Sequence, residues 1–276
     1  MAVDLFGIKF KNPVFLGSGV FSFGLKYRAV TRGVGALFTK GITFLPRMGN
    51  PPPRIYETAS GIINSVGLEN PGVKEFSKSI LPKIKKINNR VFVNVAGFTV
   101  EEYARIVAEI GDEVTGFELN VSCPNVQEGG ALFGQNPKMV ARIVKIVRKK
   151  TKSLVIVKLT ANFCDPLIIA KACIDSGADG ISLINTIYGL AFDTQTKNVI
   201  IRGGLSGPAI KPFALYCVNR LSQLKVPLIG MGGIMTGKDA YEFLLAGASA
   251  VAIGTAVLRD PYAPLRIIRE LEDLIC

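Results

Sequence analysis

The run Glu118-Leu119-Asn120-Val121-Ser122-Cys123-Pro124-Asn125 carries a thiol between two carboxamides, directly after a stretch of β-forming residues. A thiolate is a competent base or nucleophile, and Asn120 and Asn125 can each donate and accept, which suits a flat, carbonyl-rich ring. A lone cysteine is more often a small buried hydrophobe, so the weight of this reading rests on its place at a strand end. It also rests on what the chain lacks: there is no histidine. That excludes Ser-His-Asp and Cys-His catalysis and histidine-ligated metal, leaving Cys, Lys, Asp, Glu, Tyr, Ser or a cofactor to move protons.

A second signal is Gly230-Met231-Gly232-Gly233-Ile234, about 20 residues before Ile253-Gly254-Thr255. Two successive strands that end in glycine let backbone N–H groups approach a phosphate closely, whereas the bland alternative is a pair of tight turns. Lysines form a third set: Lys40 closes Leu37-Phe38-Thr39, and Lys158 lies within Ile156-Val157-Lys158-Leu159-Thr160. A lysine in an apolar strand is costly to bury unpaired, which points to a bound anion or an electron-rich cofactor as its partner. Asn94 and Asn185-Thr186 sit at the ends of two further such runs. The segments 64–72 and 203–209, rich in Gly, Asn, Ser and Pro, read first as turns and second as covers for a ligand.

These residues need elements to hold them. Short apolar runs recur at 13–17, 34–40, 91–96, 116–121, 154–160, 179–185, 227–231 and 250–254, each followed by a polar loop and a segment of helical spacing. Eight βα units predict a single (β/α)8 TIM barrel over residues 1–276, with its chemistry at the C-terminal face of the strands. Thr99 with Glu102 predicts a capping box, with Gly111 as the stop. The stretches 41–71 and 189–208 exceed ordinary βα connections and are expected to be long loops over the mouth.

Composition sets the frame. The chain has 276 residues, 49% of them hydrophobic, enough for one large core. Five cysteines without a C-x-x-C pair argue against a disulfide framework or an iron–sulfur cluster on this chain alone. The formal charge of +12 reads as a solvated basic surface rather than a nucleic-acid site, because its lysines and arginines lack interleaved aromatics. No apolar run reaches the length of a membrane span and no secretory pattern is visible, so a cytoplasmic location is expected.

Taken together, Asn-Val-Ser-Cys-Pro-Asn at 120–125, Asn-Ser-Val-Gly-Leu at 64–68 and Leu-Ser-Gly-Pro-Ala-Ile-Lys-Pro at 205–212 resemble the dihydroorotate dehydrogenases. The resemblance spans essentially the whole chain and is to the class whose catalytic subunit pairs with an electron-transfer subunit carrying FAD and an iron–sulfur cluster. It implies oxidation of dihydroorotate to orotate in pyrimidine biosynthesis, with FMN across the barrel mouth. Ser18, Asn94, Asn120, Lys158, Ile184 and Gly207 would surround the flavin ring and ribityl chain, with Lys40 and Gly41 beside them. Gly232, Gly233, Gly254 and Thr255 would hold the phosphate. Lys40, Asn64, Ser65, Val66, Gly67 and Leu68 would bind the pyrimidine, completed by Asn120, Asn185 and Thr186. Cys123 would be the base. NAD as final acceptor and a homodimeric core within a heterotetramer are further implications. The alternatives are a fumarate-linked enzyme, another FMN-dependent pyrimidine oxidoreductase, or a non-redox phosphate-binding barrel isomerase. The chain departs from the family at Gly41, where Thr or Ser is usual, at Ala161, where Pro is common, and at Val257-Leu258.

Overall fold

A computed structural model describes residues 1–121 and 133–275. In chain order its strands are β1 Val3–Leu5, β2 Ile8–Phe10, β3 Val14–Leu16, β4 Leu37–Phe38, β5 Ile55–Thr58, β6 Gly61–Asn64 and β7 Val91–Val95. They continue as β8 Gly116–Asn120, β9 Leu154–Lys158, β10 Gly180–Leu183, β11 Ile187–Phe192, β12 Val199–Ser206, β13 Leu228–Gly230 and β14 Ala250–Ile253. Eight of these close a parallel barrel in the order β3-β4-β7-β8-β9-β10-β13-β14 and back to β3. All eight fall within the runs expected from the sequence, because strands buried on both faces read as continuous apolar stretches.

Helices pack around the barrel. Val100–Ile110 starts at Thr99, whose side chain accepts from the Glu102 N–H. The Glu102 carboxylate reaches the Phe98 N–H at 2.7 Å instead of Thr99, so the expected reciprocal box is shifted by one residue. A complete capping box occurs at Thr236 and Asp239, opening Gly237–Leu245. Pro137–Arg148 and Pro166–Ile174 both begin with proline behind an Asn or Asp cap, where the missing N–H costs nothing. The helix Val100–Ile110 is also tied to the site: buried Tyr103 donates its hydroxyl to the Asn120 carbonyl at 2.9 Å, fixing the end of β8.

Two cores result. The larger lies between the barrel and its helices. The smaller fills the barrel lumen, where Phe15, Phe38 and Phe92 meet Phe10 from the β1–β2 hairpin that plugs the amino-terminal end. That hairpin has no counterpart in the sequence-based expectation, being only three residues a side.

The expectation of long loops needs correction. β5 and β6 lie within 41–71 and β12 within 189–208, while β11 enters the second stretch from Ile187; the four form an antiparallel sheet in the order β11-β12-β6-β5. Burial alternates along β6 and along β11, the period of a half-covered sheet. Glycines at 61, 189, 203 and 204 weaken the apolar signal, yet they are what permits close strand approach. A Cβ at Gly61 would fall 2.0 Å from the Ser206 carbonyl oxygen, and one at Gly203 equally close to that of Asn64.

Candidate active site

Inward-facing side chains recur every second residue along a barrel strand, and here each strand changes character near its carboxyl end. On β3, β4, β7 and β9, the lumen residues Phe15, Phe38, Phe92 and Ile156 are followed two positions on by Gly17, Lys40, Asn94 and Lys158. The other four give Glu118 then Asn120, Ser182 then Ile184, Ile229 then Met231, and Ala252 then Gly254. The second member of every pair lines one cavity at the mouth. Its roof comes from the antiparallel sheet and the loop after β6, through Ile62, Asn64, Val66, Gly67 and Leu68.

The cavity thus gathers nearly all the residues singled out from the sequence. Ser18, Gly41, Asn120, Asn185, Thr186, Gly232, Gly233 and Thr255 also line it. Two do not. Ser65 is absent from the lining and pairs with Asn50, whose Nδ2 donates to its hydroxyl at 3.0 Å. Gly207 lies behind the wall, where a Cβ would meet Gly61 Cα at 2.9 Å and Thr255 Cγ2 at 3.4 Å. Cys123, with its neighbour Asn125, lies outside the described residues.

Two lysines line the cavity. The Lys158 ammonium donates to Ser18 Oγ at 3.0 Å, and its side chain is largely buried. Lys40 lies 3.8 Å from a Glu69 carboxylate oxygen, and Glu69 is also paired with Arg54. Burial holds the Lys40 ammonium below the ordinary lysine range; Glu69 opposes that shift and Arg54 adds to it. The pair is therefore not a closed one, since Glu69 shares its charge with Arg54.

Amides form the middle. Asn185 donates to Asn120 Oδ1 at 3.3 Å, and Asn162 bridges the next segment by donating to the Thr186 carbonyl while accepting from the Tyr188 N–H. Asn94 is fully buried. Its Nδ2 donates to Glu118 at 2.6 Å, while its Oδ1 has no hydrogen-bond partner among the described residues. A Cβ at residue 41 would sit 2.9 Å from that oxygen, so Gly41 keeps the approach to it open.

Glycine forms the far end, following the seventh and eighth barrel strands. Gly232 and Gly233 adopt φ of +124° and +81°, a backbone region costly for other residues. Beside them Gly254 faces open space: a Cβ there would have no neighbour within 4 Å among the described residues. Thr255 donates to Ser206 Oγ at 2.9 Å, joining this end to the roof.

The described thiols do not belong to the site. Burial raises the pKa of Cys164 and Cys173, and that of Cys217 to about 11, so all three are neutral at ordinary pH. Sequence reasoning missed Glu118 and Ser182, which lie one layer below the cavity. Their signal was present in principle, as polar residues at inward positions of strands β8 and β10.

Fold and site together define a (β/α)8 barrel whose cavity, at the carboxyl ends of its strands, gathers lysines and carboxamides, the arrangement of barrel enzymes. Residues 1–275 match the family model for dihydroorotate dehydrogenase. The chain is 46% identical over 283 residues to the dihydroorotate dehydrogenase B (NAD(+)) catalytic subunit of Geobacter sp. strain M21, covering all of this chain and 93% of that protein. It is 48% identical over 279 residues to the protein of the same name from Alkaliphilus metalliredigens, covering 99% and 92% of the two. Among solved structures it is similar to DHODH from Eimeria tenella in complex with ferulenol, with a TM-score of 0.83 at 25% identity over 99% of this chain and 84% of that one. The chain belongs to the dihydroorotate dehydrogenase family.

Proposed function

We propose that this chain is the catalytic subunit of a dihydroorotate dehydrogenase, oxidising dihydroorotate to orotate in pyrimidine biosynthesis with FMN at the barrel mouth and Cys123 as base. The observation that carries this reading is the single cavity in which Lys40, Lys158 and the carboxamides of Asn94, Asn120 and Asn185 meet a glycine cradle.

The residues fit FMN at both ends. A phosphate needs converging backbone N–H groups and room: Gly232 and Gly233 hold a positive-φ backbone at the cavity wall, and Gly254 leaves open space that a side chain would fill. A flavin ring needs donors and acceptors along its polar edge. The buried Asn94 Oδ1 is an acceptor that no described residue satisfies, and leaving such an atom unpaired costs on the order of 1–3 kcal/mol. When bound, FMN supplies the hydride acceptor for carbon 6 of dihydroorotate. Lys158 is placed to stabilise negative charge on an electron-rich ring, and Lys40 to hold an anionic substrate carboxylate. Asn64, Asn120, Asn185 and Thr186 complete the recognition of the pyrimidine. Cys123 removes the proton from carbon 5; a thiol of ordinary pKa near 8.5 is ionised in a modest fraction at neutral pH, and a nearby cation raises that fraction. Electrons leave to NAD through a separate subunit carrying FAD and an iron–sulfur cluster, docked on a homodimer of this chain. The catalytic-subunit designation and NAD(+) in the relatives' names support a partner subunit and NAD as acceptor. No helix among the described residues is long and apolar enough to cross a membrane.

The test is an anaerobic visible spectrum of the purified chain, supplied with FMN, before and after dihydroorotate is added. Bleaching of the flavin band is expected. A chain that takes up no FMN would return the non-redox barrel, and a flavin that stays oxidised would assign a different substrate. Reoxidation by fumarate without a partner subunit would overturn the NAD assignment.

A further inference from the structure

Glu118 is a carboxyl group with no solvent exposure at the centre of the barrel, on an inward position of β8 one layer below the cavity floor. Its two oxygens are divided between neighbours. One accepts from Asn94 Nδ2 on β7 at 2.6 Å, and the other accepts from the Ser182 hydroxyl on β10 at 2.7 Å. A carboxyl group in a barrel lumen is expensive to bury, and the surrounding layer could have been apolar, as it is at Phe92 and Ile156. What the carboxylate provides is direction. The Glu118 oxygen beside Asn94 is an acceptor, so the Asn94 amide presents its NH2 group downward to Glu118. The carbonyl end is then turned to the other side, where Oδ1 is buried and has no partner among the described residues. Gly41 leaves room beside it.

We infer that Glu118 is a positioning residue: it locks the Asn94 carboxamide with its oxygen toward the cavity, so that the site presents an acceptor to an N–H of the flavin ring. This rests on the FMN reading above. An oxidised flavin ring carries one N–H on its pyrimidine portion among several acceptors. A carboxamide free to turn over would present its NH2 group as readily, and would lose the discrimination between those edges. Ser182 acts one step further out, holding the second carboxylate oxygen so that Glu118 itself does not rotate.

The test is FMN affinity, read by quenching of flavin fluorescence on binding, in a double-mutant cycle. Asn94→Ala and Glu118→Met are each expected to weaken FMN roughly tenfold, the scale of one misdirected buried hydrogen bond. Combining them should add less than about twofold to the loss from Asn94→Ala, because Glu118 acts through Asn94. Glu118→Gln keeps an acceptor oxygen for Asn94 and can donate to Ser182, so it should bind FMN within about threefold of the native chain. Full additivity in the double variant would overturn the proposal by showing a general structural role. A Gln variant as weak as Asn94→Ala would overturn it too, and this arm stands alone if the Met variant does not fold. Failure of the native chain to bind FMN would remove the cofactor reading itself. Native binding unaffected by Asn94→Ala would leave that reading intact and sink only the role of Glu118.

Discussion

The two ends of the same eight strands make opposite use of one geometric rule. At the amino-terminal end the inward positions of β3, β4 and β7 carry Phe15, Phe38 and Phe92, closed from below by Phe10, while across the lumen β8 and β10 place the hydrogen-bonded Glu118 and Ser182 at that level. Two residues further along, the same strands carry Gly17, Lys40 and Asn94. On these three strands the alternation of side chains makes the change from floor to mouth abrupt. Consequently the floor can be packed for stability while the mouth holds desolvated cations and an unsatisfied amide that cost stability. The division predicts that substitutions on the two sides of this boundary separate cleanly into loss of folding and loss of function.

The largest expected effect comes from Cys123. Cys123→Ser should slow flavin reduction by dihydroorotate by about 100-fold or more at neutral pH, since a hydroxyl, unlike a thiol, is almost entirely un-ionised there and the basic form is scarcely populated. FMN content and thermal midpoint should stay at native values. Stopped-flow reduction kinetics check this, and unchanged rates would assign the base to another residue.

Next comes the floor. Phe92→Ala removes a fully buried ring that stacks on Phe38 with centroids 4.9 Å apart, and should destabilise the barrel by roughly 3–5 kcal/mol. Denaturant unfolding measures the loss. The fraction that remains folded should bind FMN and orotate nearly as the native chain does; a proportional loss of both affinities would mean that floor and mouth are coupled, against the comparison drawn above.

Lys40→Ala probes the mouth without the floor. Orotate should bind on the order of 10- to 100-fold more weakly, the scale of a lost charge-assisted hydrogen bond, and FMN much less so. Calorimetric titration with each ligand separates the two. Because burial lowers the Lys40 pKa, the folded state binds fewer protons than the unfolded chain between the lowered and ordinary values, and stability gains with pH there. Orotate needs the charged form. Its affinity should therefore fall as pH rises through the lowered Lys40 pKa, starting below the usual lysine range, and Lys40→Arg should remove that fall.

How much of this was legible beforehand follows from the same alternation. The eight strands were readable because both faces are buried, giving unbroken runs such as Val91-Phe92-Val93. Lys40, Asn94 and Lys158 stood out as polar groups at the ends of such runs. The roof sheet was not readable, because Gly61, Gly203 and Gly204 stand where side chains would collide with the opposing backbone or with Thr186, and glycine reads as turn. Ser65 was drawn into the site by its motif, yet it pairs with Asn50 outside the lining. Glu118 shares the inward face of β8 with Asn120, but only the register beside Asn94 ties it to the site.

The smallest expected effects come from two glycines at the phosphate end, and they divide the mouth once more. At Gly233 a Cβ would lie 2.7 Å from Lys211 Cβ and 2.8 Å from the Gly207 carbonyl oxygen, at a φ of +81°. Gly233→Ala should therefore cost about 1–2 kcal/mol of stability or more with no ligand present. At Gly254 the backbone is not left-handed and the added methyl would meet no described atom within 4 Å. Gly254→Ala should leave the apoprotein within about 0.5 kcal/mol of native stability. It should nevertheless weaken FMN severalfold, up to about tenfold, by placing a methyl group where the proposed phosphate needs room. Thermal unfolding with and without FMN distinguishes the two. If Gly254→Ala binds FMN at native strength, the space beside that glycine is not the phosphate site, and the cradle must be assigned to Gly232 and Gly233 alone.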